Sequence, residues 1–134
     1  MGATDQATRS SWRAGGRSIA IIDNDESISD SLRELIESTG LVAQCFGSAE
    51  EFLECDLHCE VGCLISEIQM PGMSGLELQN RLKEEQCNIP IIFITSDGGA
   101  KTRIRAMREG AVEFLAKPLD YQLLLKTVRA ALDM

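Results

Sequence analysis

The sequence has 134 residues, the size of one domain, and its 44% hydrophobic content is enough for a single core. Lys and Arg number 13 against 21 Asp and Glu, so the net charge is −8. This balance argues against direct nucleic-acid binding by this segment, because phosphate contacts need a basic face. No apolar run approaches the roughly 18 residues of a membrane span. Residues 1–17 contain no apolar stretch typical of a signal peptide, so we expect a cytoplasmic protein without membrane contact.

The first half of the chain alternates between predicted strands and helices. Residues 1–17 are polar and aperiodic and are predicted to form a flexible arm, which leaves a domain at 18–133. The predicted elements then follow in chain order: a strand at Ser18–Ile22, a helix that begins near Asp25 and stops at Gly40, a strand at Leu41–Phe46, a short helix opened by a Ser48–Glu51 capping box, and a strand at Val61–Ser66.

The second half continues the same alternation. Its predicted elements are a helix opened by a Ser74–Glu77 capping box, a strand at Pro90–Thr95, a helix near Ala100–Glu109 that ends at Gly110, a strand at Val112–Leu115, and a last helix capped by Asp120. The fourth strand, PIIFIT, is apolar throughout, which is typical of buried parallel strands. Five strand–helix repeats predict a doubly wound α/β fold, with a five-stranded parallel sheet flanked by five helices.

In open parallel sheets, ligands bind at the carboxyl ends of the strands. The polar residues predicted at those ends are Asp23, Asn24, Asp25, Glu67, Thr95, Ser96 and Lys117. Clustered carboxylates suit Mg²⁺, a hard cation that prefers oxygen ligands. A lysine and a hydroxyl group are suited to holding phosphoryl oxygens. A plainer interpretation is that Glu67 and Lys117 form an ion pair that stabilises the strand ends.

The five cysteines favour free thiols over a disulfide framework, because their number is odd and the predicted compartment is reducing. Cys55, His58, Cys59 and Cys63 also suggest a zinc site. Cys63 lies within an apolar strand, and the spacing lacks the paired C-x2-C of common structural sites. The sequence therefore favours cysteines that serve as small buried hydrophobes.

Four separated motifs occur in an order that resembles the receiver domain of two-component response regulators, a CheY-like (flavodoxin-like) fold, and its FixJ-type branch in particular. They are the acidic turn IIDNDES, the loop EIQMPGMSGLEL, the strand IIFITS and the segment GAVEFLAKP. The resemblance covers about residues 18–133. It implies a phosphorelay module for signal transduction and transcription regulation that catalyses its own phosphoryl transfer and is not otherwise an enzyme.

The resemblance also implies a role for each matching residue. Glu67 takes the phosphoacceptor position, Lys117 pairs with the phosphoryl group, and Thr95 and Phe114 take the two switch positions. The metal positions fall on Asp23, Asn24, Glu67 and the backbone carbonyl of Gln69. Pro118 would follow a peptide bond that is commonly cis in this family.

Two of these positions depart from the family pattern, which has aspartate at both. Asn24 removes a negative charge from the metal site, so the Mg²⁺ site is predicted to be weak or vacant. Glu67 is one methylene longer, which displaces the nucleophilic oxygen by roughly 1–1.5 Å, and an error of about 1 Å can cost ~10²-fold in rate. Efficient phosphorylation is therefore not expected.

Three interpretations follow. In the first, the chain is an atypical receiver that acts through protein contacts. Glu67 then either imitates a phosphorylated aspartate, or the domain has lost its switch and is a constitutive docking module. Alternatively it is a working, Mg²⁺-dependent phosphoacceptor that receives phosphate from a histidine kinase. A third interpretation is an engineered Asp-to-Glu variant of an ordinary receiver.

The partners that the resemblance implies are a histidine kinase or an output domain. It also implies a homodimer through the fourth helix, fifth strand and fifth helix, at Ile104–Arg108, Val112–Phe114 and Tyr121–Arg129.

Overall fold

In the computed structural model, which describes residues 18–56, 58–96 and 99–133, five parallel strands form one sheet in the order β2-β1-β3-β4-β5. The strands are β1 Ser18–Ile22, β2 Val42–Phe46, β3 Cys63–Glu67, β4 Ile91–Thr95 and β5 Glu113–Ala116. The strands β1, β3 and β4 are buried along their whole length. The predicted doubly wound α/β architecture is confirmed, while the predicted arm at 1–17 lies outside the described residues.

The described helices follow the strands in the predicted alternation. They are α1 Glu26–Glu37, α2 Ala49–Glu54, α3 Gly75–Glu84, α4 Ala100–Arg108 and α5 Tyr121–Ala131, with one 3₁₀ turn at His58–Glu60. Across the described ranges, none of these helices has the length and apolar content that crossing a membrane would require.

Polar side chains fix the start of four helices. Asp25, Ser48 and Asp120 each accept a hydrogen bond from a backbone N–H in the first turn of α1, α2 and α5, respectively. At α3 the capping box is complete, because Ser74 accepts from the N–H of Glu77 while the Glu77 carboxylate accepts from the N–H of Ser74.

The sheet separates two apolar layers, because successive side chains of a strand point to opposite faces. On one face, β-strand residues such as Leu64 and Phe93 pack with α2, α3 and α4 through Phe52, Leu78 and Ala106. On the other face, Ile19, Ile65 and Ile92 pack with α1 and α5 through Leu32 and Leu124. Helices thus cover both faces, so only the sheet's strand ends and edges remain open for polar chemistry.

One cysteine pair departs from the sequence-based expectation that all five thiols are free. Cys59 and Cys87 are joined by a disulfide, with their Cα atoms 5.3 Å apart, whereas Cys45, Cys55 and Cys63 are free. The two residues lie in the segments that precede β3 and β4. These strands are neighbours in the sheet, so the segments converge although 28 positions separate the cysteines. Burial raises the pKa of the Cys63 thiol to about 12, which keeps it protonated.

Gly75 holds the start of α3 against the end of β3. Its N–H donates to the carbonyl of Ile68, and a Cβ added at this position would lie 2.5 Å from the Glu67 carbonyl oxygen and 3.0 Å from the Phe93 ring. Only glycine permits this approach, because the nearest obstructing atom is a backbone oxygen of the central strand β3, which cannot move aside.

We expect Gly75→Ala to destabilise the domain by about 1–3 kcal/mol, the usual cost of overpacking, despite the higher helix propensity of alanine. Gly99→Ala is the matched control, because a Cβ at Gly99, beside the start of α4, meets no atom within 4 Å. Urea unfolding of both variants measures the difference. Equal midpoints for the two variants would contradict the proposed close packing.

Candidate functional site

Three charged side chains meet at the carboxyl ends of the strands. Asp23 directly follows β1, Glu67 ends β3, and Lys117 directly follows β5. The Lys117 ammonium donates to Asp23 Oδ2 at 2.9 Å and to Glu67 Oε1 at 2.7 Å. Both carboxylate side chains are almost completely buried, at 1% and 5% exposure. Lys117 therefore neutralises part of the negative charge that the sheet concentrates at this edge.

Glu67 uses its second carboxylate oxygen within its own chain segment. Glu67 Oε2 accepts hydrogen bonds from the backbone N–H of Ile68 at 2.6 Å and of Gln69 at 3.2 Å. The side chain thus folds back over the start of the following loop. Both oxygens of this carboxylate are consequently bound to donors of the protein itself.

In the acidic turn after β1, Asp23 and Asp25 make different hydrogen bonds. Asp23 Oδ1 accepts from the N–H of Asp25 at 2.9 Å, which closes the turn. Asp25 caps α1, and the hydrogen bond from the Ser27 hydroxyl lowers the pKa of the Asp25 carboxyl. Asn24 between them is exposed. Of the two neighbouring residues Asp23 and Asn24 that are predicted in the site, only Asp23 is buried beside Lys117.

Burial of Lys117 opposes the charge on its ammonium group, but hydrogen bonds and charges outweigh that effect. The hydrogen bonds to Asp23 and Glu67 and the negative charges of both carboxylates raise the pKa of Lys117 above 10.5. Because the pKa of Lys117 is higher in the folded state than in the unfolded state, its interactions stabilise the folded state fully below pH 10.5. It is lost as the pH rises through the higher folded-state value.

The remaining predicted residues surround this ion triad. Thr95 ends β4 and is fully buried, and its carbonyl accepts from the N–H of Lys117 at 2.8 Å. Phe114 lies in β5 opposite Phe93 of β4 and is buried in the core. Gln69 is exposed in the loop after β3. The Lys117–Pro118 peptide bond is cis.

The donor set at this edge has the chemistry that Mg²⁺ prefers, because Asp23 and Glu67 offer carboxylate oxygens and Asn24 an amide oxygen. The charge of the set is low, however. Lys117 offsets one of the two buried carboxylates, and Asn24 contributes none. The residues thus fit a magnesium ion in kind, and their reduced negative charge favours weak binding.

A second polar cluster contains four residues, of which the sequence predicts only two as metal ligands. The sequence suggests a zinc site at Cys55, His58, Cys59 and Cys63, but the structure places His58 and Cys59 beside Glu85 and Cys87. Cys63 lies buried within β3 instead. A topological signal could have brought Glu85 and Cys87 into the set, because the segments that precede two neighbouring parallel strands lie at the same end of the sheet.

Comparisons with known proteins match most of the chain to one family. The family model described as "Response regulator receiver domain" matches residues 19–129. The chain is 42% identical over 116 residues to the response regulator protein TodT of Pseudomonas putida, covering 87% of this chain and 51% of TodT. It is 38% identical over 129 residues to the transcriptional regulatory protein TdiR of Thauera aromatica, covering 96% of this chain and 56% of TdiR. The chain thus spans about half the length of these relatives.

Solved structures resemble the fold closely. The crystal structure of FixJ-N matches with a TM-score of 0.77 and 32% identity, covering 87% of this chain and 93% of FixJ-N. A response regulator receiver protein from Pseudoalteromonas atlantica matches with a TM-score of 0.81 and 27% identity, covering 87% and 97% of the two chains.

We expect Lys117→Met to destabilise the domain by about 3 kcal/mol, because it leaves two buried carboxylates without their shared cation. Lys83→Met is the matched control, since Lys83 pairs with Glu109 at 2.6 Å on the exposed surface, where an ion pair contributes about 0–1 kcal/mol. Adding Glu67→Gln to Lys117→Met should recover much of the loss. Urea unfolding at neutral pH measures all three variants, and equal effects of the two lysine variants would refute the shared role of Lys117.

Proposed function

The chain belongs to the response regulator receiver domain family, and we propose that it is an atypical receiver that accepts phosphate poorly at Glu67 and acts through protein contacts. Receiver domains of this family serve two-component signal transduction, so the chain is a receiver domain of a two-component response regulator. The proposal beyond family membership is that the glutamate at the phosphoacceptor position accepts phosphate poorly.

The proposal rests on the hydrogen bonds that hold the Glu67 carboxylate. Phosphoryl transfer needs a carboxylate oxygen in line with the phosphorus of the donor. Glu67 Oε1 is held by Lys117, and Oε2 is held by the N–H groups of Ile68 and Gln69. With 5% of the side chain exposed, an attacking oxygen would have to leave these donors before reaching a phosphohistidine. The added methylene supports the same conclusion, because it changes where the oxygens lie relative to Thr95 and Lys117.

The charge of Glu67 supports incomplete imitation of a phosphorylated aspartate. A phosphoryl group brings nearly two negative charges and three oxygens, whereas a glutamate brings one charge and two oxygens. Lys117 already compensates that one charge at 2.7 Å. We therefore propose a module whose switch residues Thr95 and Phe114 respond weakly to the carboxylate, and whose output depends on docking.

A working phosphoacceptor is the second candidate, and the position of Lys117 favours it. The ammonium lies beside the acceptor carboxylate, and Thr95 ends the neighbouring strand β4. These groups are suited to stabilising a transferring phosphoryl group from a histidine kinase, with Mg²⁺ held at Asp23, Asn24, Glu67 and the Gln69 carbonyl supplying further charge neutralisation.

An apolar surface on α4, β5 and α5 is the proposed contact face. Among the described residues, its large exposed apolar side chains are Ile104, Met107, Val112, Tyr121 and Leu123, with exposures of 36–55%. These side chains lie on or beside the edge strand β5 and the helices next to it in sequence, and exposed apolar side chains at one edge of a small domain favour protein contacts. We propose that this face forms a symmetric homodimer, since two-fold dimers are the commonest assembly.

The relatives suggest the wider setting. TdiR and FixJ are named transcriptional regulatory proteins. We propose that this receiver also serves transcription regulation in the cytoplasm, through an output domain rather than through nucleic-acid contacts of its own. The net charge of −8 supports that division of roles.

We expect no substantial acyl phosphate on the unaltered chain after incubation with acetyl phosphate and Mg²⁺, and a gain of about 100-fold in labelling rate for Glu67→Asp. The double variant Asn24→Asp with Glu67→Asp should gain further, because it restores an anionic metal ligand. Intact-mass analysis with peptide localisation measures the product.

Glu67→Gln is the control for labelling elsewhere and should remain unlabelled. Stoichiometric phosphate on Glu67 of the unaltered chain would replace the first proposal by the working phosphoacceptor. A Glu67→Asp variant that stays unlabelled would contradict the proposal that side-chain length limits the reaction.

We expect Ile104→Glu to weaken self-association by about tenfold or more, because it places a charge on the proposed apolar face. Val42→Glu is the matched control, since Val42 is similarly exposed at 39% but lies in β2 at the opposite side of the sheet. Sedimentation velocity over a concentration series measures the dimer population. Loss of the dimer in Val42→Glu alone would place the contact elsewhere.

A further inference from the structure

Four side chains with metal-binding atoms meet at the end of the sheet opposite Glu67. His58 and Cys59 lie in the segment before β3, and Glu85 and Cys87 lie in the segment before β4. One ligand atom from each residue can be chosen so that all four lie within 4.8 Å of one another. We propose that the reduced chain binds one Zn²⁺ ion through His58, Cys59, Glu85 and Cys87.

The orientation of His58 is the first observation that points to a cation. Its Nδ1 lies 2.8 Å from the carbonyl oxygen of Cys55, which can only accept, so Nδ1 carries the proton. The other ring nitrogen, Nε2, faces Glu85 Oε1 at 2.8 Å. Either a second proton or a metal ion can lie between these two atoms, so the pair is placed to ligate a cation together. A histidine that donates its other N–H to a carbonyl is the usual arrangement of a metal-binding imidazole.

Glu85 is oriented in the same manner. Its Oε2 accepts from Arg81 Nε at 2.9 Å, which directs Oε1 toward His58 and toward the Cys87 sulfur, 3.8 Å away. Gln86 between the two ligands has a φ of 60°, a left-handed conformation that is uncommon outside glycine. This turn brings Glu85 and Cys87 to the same side of the segment.

The set matches zinc in ligand type and size. Zinc prefers thiolate, imidazole and carboxylate ligands in tetrahedral geometry, with bonds of about 2.0–2.3 Å, which places ligand atoms roughly 3.3–3.8 Å apart. The four atoms already lie within 4.8 Å of one another, close to that spacing, and reduction frees the two sulfurs to move apart. Since four protein ligands leave no open position, the ion would be structural and would hold the 3₁₀ turn to the end of α3.

Zinc binding requires the Cys59–Cys87 bond to be reduced first. Two molecules of a thiol reductant transfer two electrons, so that Cys–S–S–Cys and two RSH give two cysteine thiols and one RSSR. Each thiol then loses one proton to solvent as its sulfur bonds to Zn²⁺, which releases two protons per ion. The oxidised and metal-bound forms therefore exclude each other.

The test uses the full chain, reduced with a phosphine and titrated with Zn²⁺ against a chromogenic chelator, and separately with Co²⁺ as a spectroscopic probe. We expect one equivalent of either metal, with thiolate-to-cobalt charge transfer and the visible absorption of tetrahedral cobalt. Cys59→Ser and Cys87→Ser should each weaken zinc binding by more than the roughly 10–100-fold that loss of an outer partner costs. Arg81→Met should weaken it by about tenfold through Glu85.

Cys45→Ser is the control, because Cys45 is a free thiol of β2 outside the cluster. It should bind zinc like the unaltered chain. Cys59 is exposed, so Cys59→Ser is expected to remain folded, and circular dichroism checks this. A reduced chain that binds no zinc would overturn the proposal. Binding that survives in Cys59→Ser and Cys87→Ser, or a disulfide that resists reduction in the folded chain, would overturn it equally. None of these results bears on phosphorylation at Glu67.

Discussion

The two hydrogen bonds of the Lys117 ammonium join three strand ends and neutralise charge that the fold itself concentrates. A parallel sheet directs the carboxyl ends of all its strands to one edge, and here β1 and β3 bring Asp23 and Glu67 there in buried form. Two buried carboxylates repel each other unless a cation is shared between them. Lys117 supplies that cation from the end of β5, on the far side of β4 from Glu67. The carboxylate site is thus a stability element as well as a candidate for chemistry.

Hydrogen bonds within the domain hold the Glu67 carboxylate in place. Both carboxylate oxygens accept hydrogen bonds, one from Lys117 and the other from the N–H groups of Ile68 and Gln69. The start of α3 is held close to the same segment by Gly75. The loop is thereby fixed around the carboxylate.

The two ends of the sheet carry different chemistry for one topological reason. Each crossover helix returns the chain to the opposite end, so the segments after the strands meet at one end and the segments before them at the other. Oxygen ligands and a lysine gather where the strands finish, whereas sulfur, imidazole and Glu85 gather where β3 and β4 begin. The three central strands, buried along their whole length, lie between these two ends.

Local sequence patterns predict the alternation of strands and helices, because apolar runs such as PIIFIT and caps such as Ser74–Glu77 act over a few residues. They also predict which residues stand at the strand ends, including Glu67 and Lys117, since each lies at the end of a predicted apolar strand. The tertiary structure alone decided how those side chains share hydrogen bonds, and which cysteines meet. The hydrogen bond from Lys117 to Glu67 and the approach of Cys59 to Cys87 depend on distances between segments far apart in sequence, and local patterns of residues carry no information about such distances.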